Sequence, residues 1–143
     1  MAVGAGAPEQ VADRLHSAAV TLLRRLRRED AGLAIGPART STLAVLVFAG
    51  PKTMGELAAI EQVRPPTMSR IVAALEADLL ALRESDPDDR RAQRVRATTL
   101  GRRVAYRDRE RRVGVLTERL RAHSAEEIAL LDRAAELIER LAR

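Results

Sequence analysis

Residues 53–76 have the sequence TMGELAAIEQVRPPTMSRIVAALE. Its first four residues, TMGE, match a capping box, in which a threonine hydroxyl and a glutamate carboxylate each accept a backbone N–H. The box predicts a short helix over about residues 55–61. Residues 62–64 then form a turn, and prolines open a second helix over about residues 66–78, because a missing N–H costs little at a helix start. Two helices joined by such a turn predict a helix-turn-helix.

The second helix of this motif has two contrasting faces. With about 3.6 residues per turn, its apolar arc comprises Met68, Ile71, Val72 and Leu75. The opposite arc is small and polar with one cation, and comprises Pro66, Ser69, Arg70 and Ala73. Such a face lets a helix enter a DNA major groove and brings Ser69 and Arg70 to base edges or phosphates. The alternative is that this face packs against another helix.

A β-hairpin is predicted after this helix. Strands over residues 81–84 and 93–97 flank a turn that contains Pro87 and several aspartates. Arg90 and Arg91 then lie at the tip, which suits insertion into a narrow, electronegative minor groove. The aspartates beside them would repel phosphate unless they hold arginine side chains in ion pairs. The alternative is an ordinary charged hairpin.

Amphipathic helices flank this central region. Apolar residues spaced three and four apart predict helices over residues 11–28, 37–48 and 99–121, and a second capping box at residues 124–127 opens a last one. The apolar faces of the terminal helices are expected to pack with each other and with a second copy of the chain. A two-fold dimer would place its DNA-reading helices about 34 Å apart, on successive major-groove faces of a palindromic site.

Composition limits the classes of function. The chain has 143 residues, enough for one core, and its net charge of +5 favours an anionic partner such as nucleic acid. Lys52 is the only lysine, although such an arginine bias also fits a GC-rich genome. Cysteine is absent, which excludes disulfides, thiolate metal sites and cysteine nucleophiles. His16 and His123 lie far apart, so we expect no metal site and no cofactor.

The sequence indicates neither a membrane-spanning segment nor an enzymatic activity. No apolar run approaches the roughly 20 residues that cross a bilayer. Residues 1–8 lack the pattern of a signal peptide, so we expect a cytoplasmic protein. No Gly-rich phosphate loop, nucleophile motif or carboxylate pair is found, so we expect no catalytic activity.

Several short stretches, taken in order, resemble the multiple antibiotic resistance regulator (MarR) family. They are IGPAR at 35–39, TMGELA at 53–58, RPPTMSRIV at 64–72, DPDDRR at 86–91 and SAEE at 124–127. Each is weak alone, but together, over about residues 11–142, they are specific. The resemblance implies a single, mainly α domain over residues 1–143, with about six helices and a small β-hairpin wing. Residues 35–98 would form the winged helix-turn-helix, and residues 9–32 and 99–143 the dimerisation helices.

The resemblance also implies a function. Family members are homodimers that bind double-stranded DNA and usually repress transcription until a small molecule binds. The implied DNA contacts of the recognition helix are Pro66, Thr67, Ser69 and Arg70. On the wing, Arg91 is the implied minor-groove residue, Asp89 orients it, and Arg90 lies beside them. The choice between repressor and activator depends on where the operator lies and stays open.

The sequence departs from the family pattern at several positions. Leu79 stands where relatives usually have glycine, and because leucine makes a left-handed backbone costly, we expect the recognition helix to run on or to end differently. Arg64 replaces a usual serine or threonine cap, so we expect a lost cap and a gained phosphate contact. Ala97 replaces a larger aliphatic residue, which predicts a looser wing base. Phe48 and Tyr106 are the only aromatic residues, whereas family pockets for aromatic ligands often contain more.

A winged-helix module that binds a protein partner, without DNA or ligand sensing, is the competing hypothesis. The charged residues of the wing distinguish this hypothesis from DNA binding. Arg90 and Arg91 beside Asp89 have a use in a minor groove and none that is specific to a protein partner.

Overall fold

The computed structural model of the chain describes residues 7–29, 35–86, 89 and 92–142. Helices and strands in these residues follow in the order α1 (Pro8–Glu29), α2 (Pro37–Phe48), β1 (Lys52–Thr53), α3 (Met54–Ile60), α4 (Pro65–Ala77), β2 (Ala81–Ser85), β3 (Gln93–Ala97), α5 (Thr99–Leu120) and α6 (Ala125–Leu141). The chain forms two compact units, Met1–Asp108 and Arg109–Arg143, and α5 begins in the first and ends in the second. No helix in the described residues is both long and apolar enough to cross a membrane.

The core of the first unit lies between α2, α3, α4 and the sheet. Its largest fully buried side chains are Leu43, Leu57, Met68, Leu75, Val72, Val95 and Thr42. Burial of an apolar side chain of this size stabilises the fold by about 1.5–3 kcal/mol. Since α4 contributes three of these residues, its apolar face fixes it to the core and leaves the opposite face outside.

The sheet has three antiparallel strands in the order β1-β3-β2. The predicted hairpin is confirmed, with β2 and β3 paired from Ala81↔Ala97 to Ser85↔Gln93. The sequence did not predict β1, which pairs with β3 at Lys52↔Val95 and Thr53↔Arg94. A strand of two residues is too short to show an alternating pattern.

Two helices end on a residue with a left-handed backbone. Gln62 follows α3 with φ 53°, and Leu79 follows α4 with φ 59°. At the end of α4, the Leu80 N–H donates to the Leu75 carbonyl at 2.8 Å and the Leu79 N–H donates to the Glu76 carbonyl at 3.0 Å. These bonds form a Schellman motif, the helix ending that glycine normally provides. The expectation that leucine at position 79 changes this ending is therefore wrong.

The second unit contains α6 behind its capping box. The Glu127 N–H donates to Ser124 Oγ at 3.2 Å, and the Ser124 N–H donates to Glu127 Oε2 at 2.9 Å. The backbone N–H of Ser124 lowers the pKa of the Glu127 carboxyl, since it stabilises the charged form. None of the residues of α6 is buried in the single chain, and its exposed apolar residues include Ile128, Leu131, Ile138 and Leu141.

Candidate nucleic-acid interface

The helix α3 packs against α4, the second helix of the helix-turn-helix. Its predicted capping box is confirmed, because the Thr53 N–H donates to Glu56 Oε2 at 2.7 Å and the Glu56 N–H donates to Thr53 Oγ1 at 3.2 Å. The backbone N–H of Thr53, followed by its hydroxyl, lowers the pKa of the Glu56 carboxyl. At the other end of α3, the Ser41 hydroxyl of α2 donates to Glu61 Oε1 at 3.0 Å. Both ends of α3 are thus fixed by side chains.

The helix α4 presents the predicted small face to solvent. Its exposed residues include Pro66, Thr67, Ser69, Arg70 and Ala73. On the opposite side, Met68, Val72 and Leu75 are each 0% exposed. Because the small face is exposed, it does not pack against any other helix in the described part of this chain. A helix surface of this shape, with one cation, remains available for a major groove.

Two arginines give this surface its positive charge. Arg64 is the residue before α4, and its side chain makes no hydrogen bond to the helix start, so the predicted loss of the cap is confirmed. Arg64 and Arg70 are both exposed. Across the residues that the structure describes, neither forms an ion pair with a carboxylate. Both charges are therefore available to a phosphate or to the acceptor atoms of a guanine edge.

The C-terminal end of α4 is held by two ion pairs. Arg39 of α2 lies 2.7 Å from the carboxylate of Asp78, and Arg83 of β2 lies 3.4 Å from that of Glu76. Partly exposed pairs of this kind contribute about 0–1 kcal/mol to stability. Their main consequence is geometric, because they connect α4 to a helix on one side and to the wing on the other.

The arginines of the returning wing strand are neutralised inside the hairpin. Arg94 pairs with Asp86, and Arg96 pairs with Glu84 across the two strands. Between them, Val95 is fully buried, as the alternation along a strand requires. These ion pairs connect the two strands of the hairpin and occupy the charges of Arg94 and Arg96.

The tip itself is described only in part. Asp89 is exposed, and its carbonyl accepts the Ala92 N–H at 2.9 Å. Arg90 and Arg91, the arginines predicted for the minor groove, lie outside the described residues, as does Asp88. The predicted role of the tip in DNA binding therefore stays a prediction.

Sequence reasoning missed the residues that hold α4 in place. Arg39 and Asp78 are 39 positions apart, and nothing in their local sequence shows that they meet. Thr98 caps α5, because its hydroxyl accepts the Gly101 N–H at 3.0 Å. The same hydroxyl also donates to the Leu79 carbonyl at 2.7 Å, a contact that no local pattern indicates.

A helix-turn-helix with an exposed, positively charged second helix and an adjoining antiparallel wing defines a winged helix-turn-helix protein of the DNA-binding class. The MarR family model matches residues 36–92. An uncharacterized HTH-type transcriptional regulator of Mycobacterium leprae is 33% identical over 129 residues, which is 90% of each chain. The chain belongs to the MarR family of transcriptional regulators.

Solved structures have the same fold. A MarR family protein from Bacillus stearothermophilus superposes with a TM-score of 0.82 at 26% identity, over 97% of this chain and 100% of the other. A transcriptional regulator from Thermotoga maritima superposes with a TM-score of 0.74 at 28% identity, over 94% and 96% of the two chains. The winged helix-turn-helix and the helices before and after it are thus all included in the similarity.

Proposed function

We propose that this regulator is a homodimeric, sequence-specific repressor that binds a palindromic operator in double-stranded DNA. The recognition helix α4 of each subunit enters a major groove, and the wing reaches the adjacent minor groove. The observation that carries this proposal is the exposed small face of α4, on which Arg70 has no acidic partner among the described residues.

Each residue on this face has a proposed role. Pro66 and Thr67 contact the backbone and sugar where the helix enters the groove. Ser69 and Arg70 face the base edges, and arginine most often recognises guanine through its O6 and N7. Arg64 contacts a phosphate just before the helix begins. Phosphate contacts set the register of the protein on the duplex, and base contacts supply the specificity.

The wing supplies the second set of contacts. Arg91 enters the minor groove, Asp89 orients it, and Arg90 adds a phosphate contact. The ion pairs of Arg94 and Arg96 support this proposal, because a stiff hairpin loses less conformational entropy when its tip inserts.

Dimerisation is proposed through the terminal helices. α1 exposes Val11, Val20, Leu22 and Leu23, and α6 exposes its own apolar residues on the single chain. A two-fold interface would remove these surfaces from water and would place the two copies of α4 at the spacing of a palindrome. The whole chain then acts as a single functional domain in the cytoplasm.

Release from DNA by a small-molecule inducer completes the proposal. It is supported by family membership, and the site that would bind the inducer stays unassigned. An inducer would raise the melting temperature of the free dimer and would weaken operator binding. The operator must then weaken binding of that compound by the same factor.

The test is selection of bound fragments from genomic DNA with the purified full-length chain, followed by footprinting. We expect enrichment of an inverted repeat whose half-sites lie about one helical turn apart. Arg91→Ala should weaken binding to the selected duplex by about 1–3 kcal/mol while the dimer stays intact. Arg14→Ala, which removes an exposed arginine of α1, is the control for net charge, once sedimentation shows that this variant stays dimeric, because α1 lies in the proposed interface.

Three results would contradict the proposal. Recovery of no enriched duplex would remove DNA binding and would favour the protein-partner module instead. An asymmetric site bound by one chain would remove the homodimer. Equal losses for Arg91→Ala and Arg14→Ala would show that the wing contributes only general charge.

A further inference from the structure

A single hydroxyl joins the end of α4 to the start of α5. Thr98 lies between β3 and α5, and its Oγ1 donates to the Leu79 carbonyl at 2.7 Å while it accepts the Gly101 N–H at 3.0 Å. The backbone N–H of Thr98 also donates to the Leu80 carbonyl, at 3.0 Å. The carbonyls of Leu79 and Leu80, which lie between α4 and β2, are therefore both bonded to Thr98, the residue before α5.

Gly101 lets the two backbones approach closely at this point. A Cβ built on Gly101 would lie 2.0 Å from the Leu80 carbonyl oxygen and 3.1 Å from Leu43 Cδ1. Leu80 is 3% exposed and Ala105, one turn further along α5, is 6% exposed. The first turns of α5 thus pack directly on the corner that ends α4, with no side chain between the backbones.

Hydrogen bonds hold the corner at both backbone polar groups of Leu79. Leu79 has a left-handed backbone, and its N–H is bonded within the Schellman motif. The Thr98 hydroxyl bonds the carbonyl of this same residue, so both polar backbone groups of Leu79 have protein partners. A change in the angle between α4 and α5 would strain the bond from Thr98 to the Leu79 carbonyl.

We propose that Thr98 is a positioning residue for DNA binding, because its bond to the Leu79 carbonyl fixes the angle between the recognition helix α4 and α5. This inference rests on the proposed function as a dimer on a two-fold operator. The angle then sets the separation between half-sites that the dimer accepts. The part of α5 that lies in the first unit, Thr99–Asp108, is about 15 Å long, so a turn of about 10° at its start displaces the end of this part by on the order of 3 Å. Base pairs are stacked about 3.4 Å apart, so such a displacement is comparable to one base pair.

Three variants separate positioning from helix capping. Thr98→Ser keeps both the donor to Leu79 and the acceptor for Gly101. Thr98→Asp keeps an acceptor that caps α5 but has no proton to donate to a carbonyl. Thr98→Val has nearly the shape of threonine and loses both contacts. The three therefore keep both bonds, the cap alone, or neither.

The experiment measures binding to duplexes that contain the selected half-sites at the native spacing, with one base pair inserted, or with one removed. Wild type and Thr98→Ser are expected to prefer the native spacing by at least about tenfold. For Thr98→Asp we expect this preference to fall below about threefold, with the melting temperature unchanged within about 2 °C. Because the readout is a ratio between duplexes, general repulsion of phosphate by the new carboxylate cancels.

The outcomes distinguish this inference from the proposed function. A Thr98→Asp protein that keeps the wild-type spacing preference overturns the positioning role alone. So does a variant whose affinity falls equally at all spacings and on a single half-site, since that is the behaviour of a structural residue. A wild-type chain that binds no duplex with paired half-sites overturns the proposed function, and the inference with it.

Discussion

At the scale of single residues, the proposed recognition of DNA depends on the small size of the side chains on the exposed face of α4. Around Arg70 the exposed residues are small, including Ser69, Ala73 and Pro66. A guanidinium with few neighbours can reach the floor of a groove without carrying bulky side chains into it. Arg64 lies outside this face at the helix start, so the two cations are expected to differ in what they recognise.

Arg70→Ala tests this difference. We expect it to weaken binding to the selected operator by about 1–3 kcal/mol and to relax the base preference at one position of each half-site. Arg64→Ala should weaken all duplexes alike and reduce the salt slope by about one. Competition titrations with single-base operator variants measure both effects. A uniform loss for Arg70→Ala would assign that residue to phosphate instead.

Leu79→Gly tests the strained helix end. A left-handed leucine costs roughly 1–2 kcal/mol, which glycine would remove. Glycine loses more backbone entropy on folding, and this offsets about 0.5–1 kcal/mol of the gain. Since the Leu79 side chain is 69% exposed, its removal loses little burial, and we expect a net stabilisation of about 0.5–1 kcal/mol by urea unfolding. Leu79→Ala keeps the left-handed strain and should gain nothing. A lower unfolding midpoint for the glycine variant would show that the backbone is not strained.

Leu79 also shows where reasoning from residue preference fails. The expected cost of a left-handed leucine led to the expectation that α4 would not end on Leu79, but α4 does end there in a left-handed conformation. The bonds of the Schellman motif, the buried Leu80 and the hydroxyl of Thr98 outweigh the preference of one residue. The burial of Leu80 and the bond from Thr98 depend on residues distant in sequence, so the local sequence does not indicate them.

At the scale of helices and strands, the predictable features were those that repeat within a few residues. Both capping boxes and the apolar face of α4 follow from spacings of three and four, and the structure confirms them. The short β1 and the ion pair between Arg39 and Asp78 depend on residues distant in sequence. The elements of the site were thus predictable, whereas the contacts that orient them were not.

Gly101→Ala tests the packing of α5 on the corner after α4. An added Cβ would meet the Leu80 carbonyl oxygen at 2.0 Å, so the backbones must separate, at a cost of about 1–3 kcal/mol or more. Gly114 is the matched control, because it lies in the same helix and a Cβ there meets nothing within 4 Å. Gly114→Ala should stabilise by about 0.5–1 kcal/mol through its helix propensity. Thermal unfolding of both variants measures the contrast, and similar effects would refute the close approach.

The dependence of stability on pH tests the capping boxes of α3 and α6. The folded chain lowers the pKa of the Glu56 and Glu127 carboxyls from their ordinary value of 4.5. Their contribution to stability is therefore complete above pH 4.5 and is lost as the pH falls through the lower, folded value. The double variant Glu56→Gln, Glu127→Gln should lose less free energy of unfolding than wild type between pH 6 and about pH 3. Identical pH profiles would exclude a contribution from these carboxylates.

At the scale of the whole molecule, the proposed function requires two copies of the recognition surface. One chain offers one copy of α4, whereas an inverted repeat presents two major-groove faces about 34 Å apart. The apolar residues that α1 and α6 expose on the single chain would lie in the dimer interface. The sequence of one chain is enough to show the family. Binding to both half-sites of an operator requires the proposed dimer.

Sedimentation of the purified protein with the selected duplex tests whether two chains bind the operator together. The proposed function predicts a dimer without DNA and a complex of two chains per duplex in low salt. The complex should dissociate steeply between about 50 and 200 mM salt, as phosphate contacts release counterions. A stable monomer that leaves the duplex sedimenting alone at every salt concentration would contradict it.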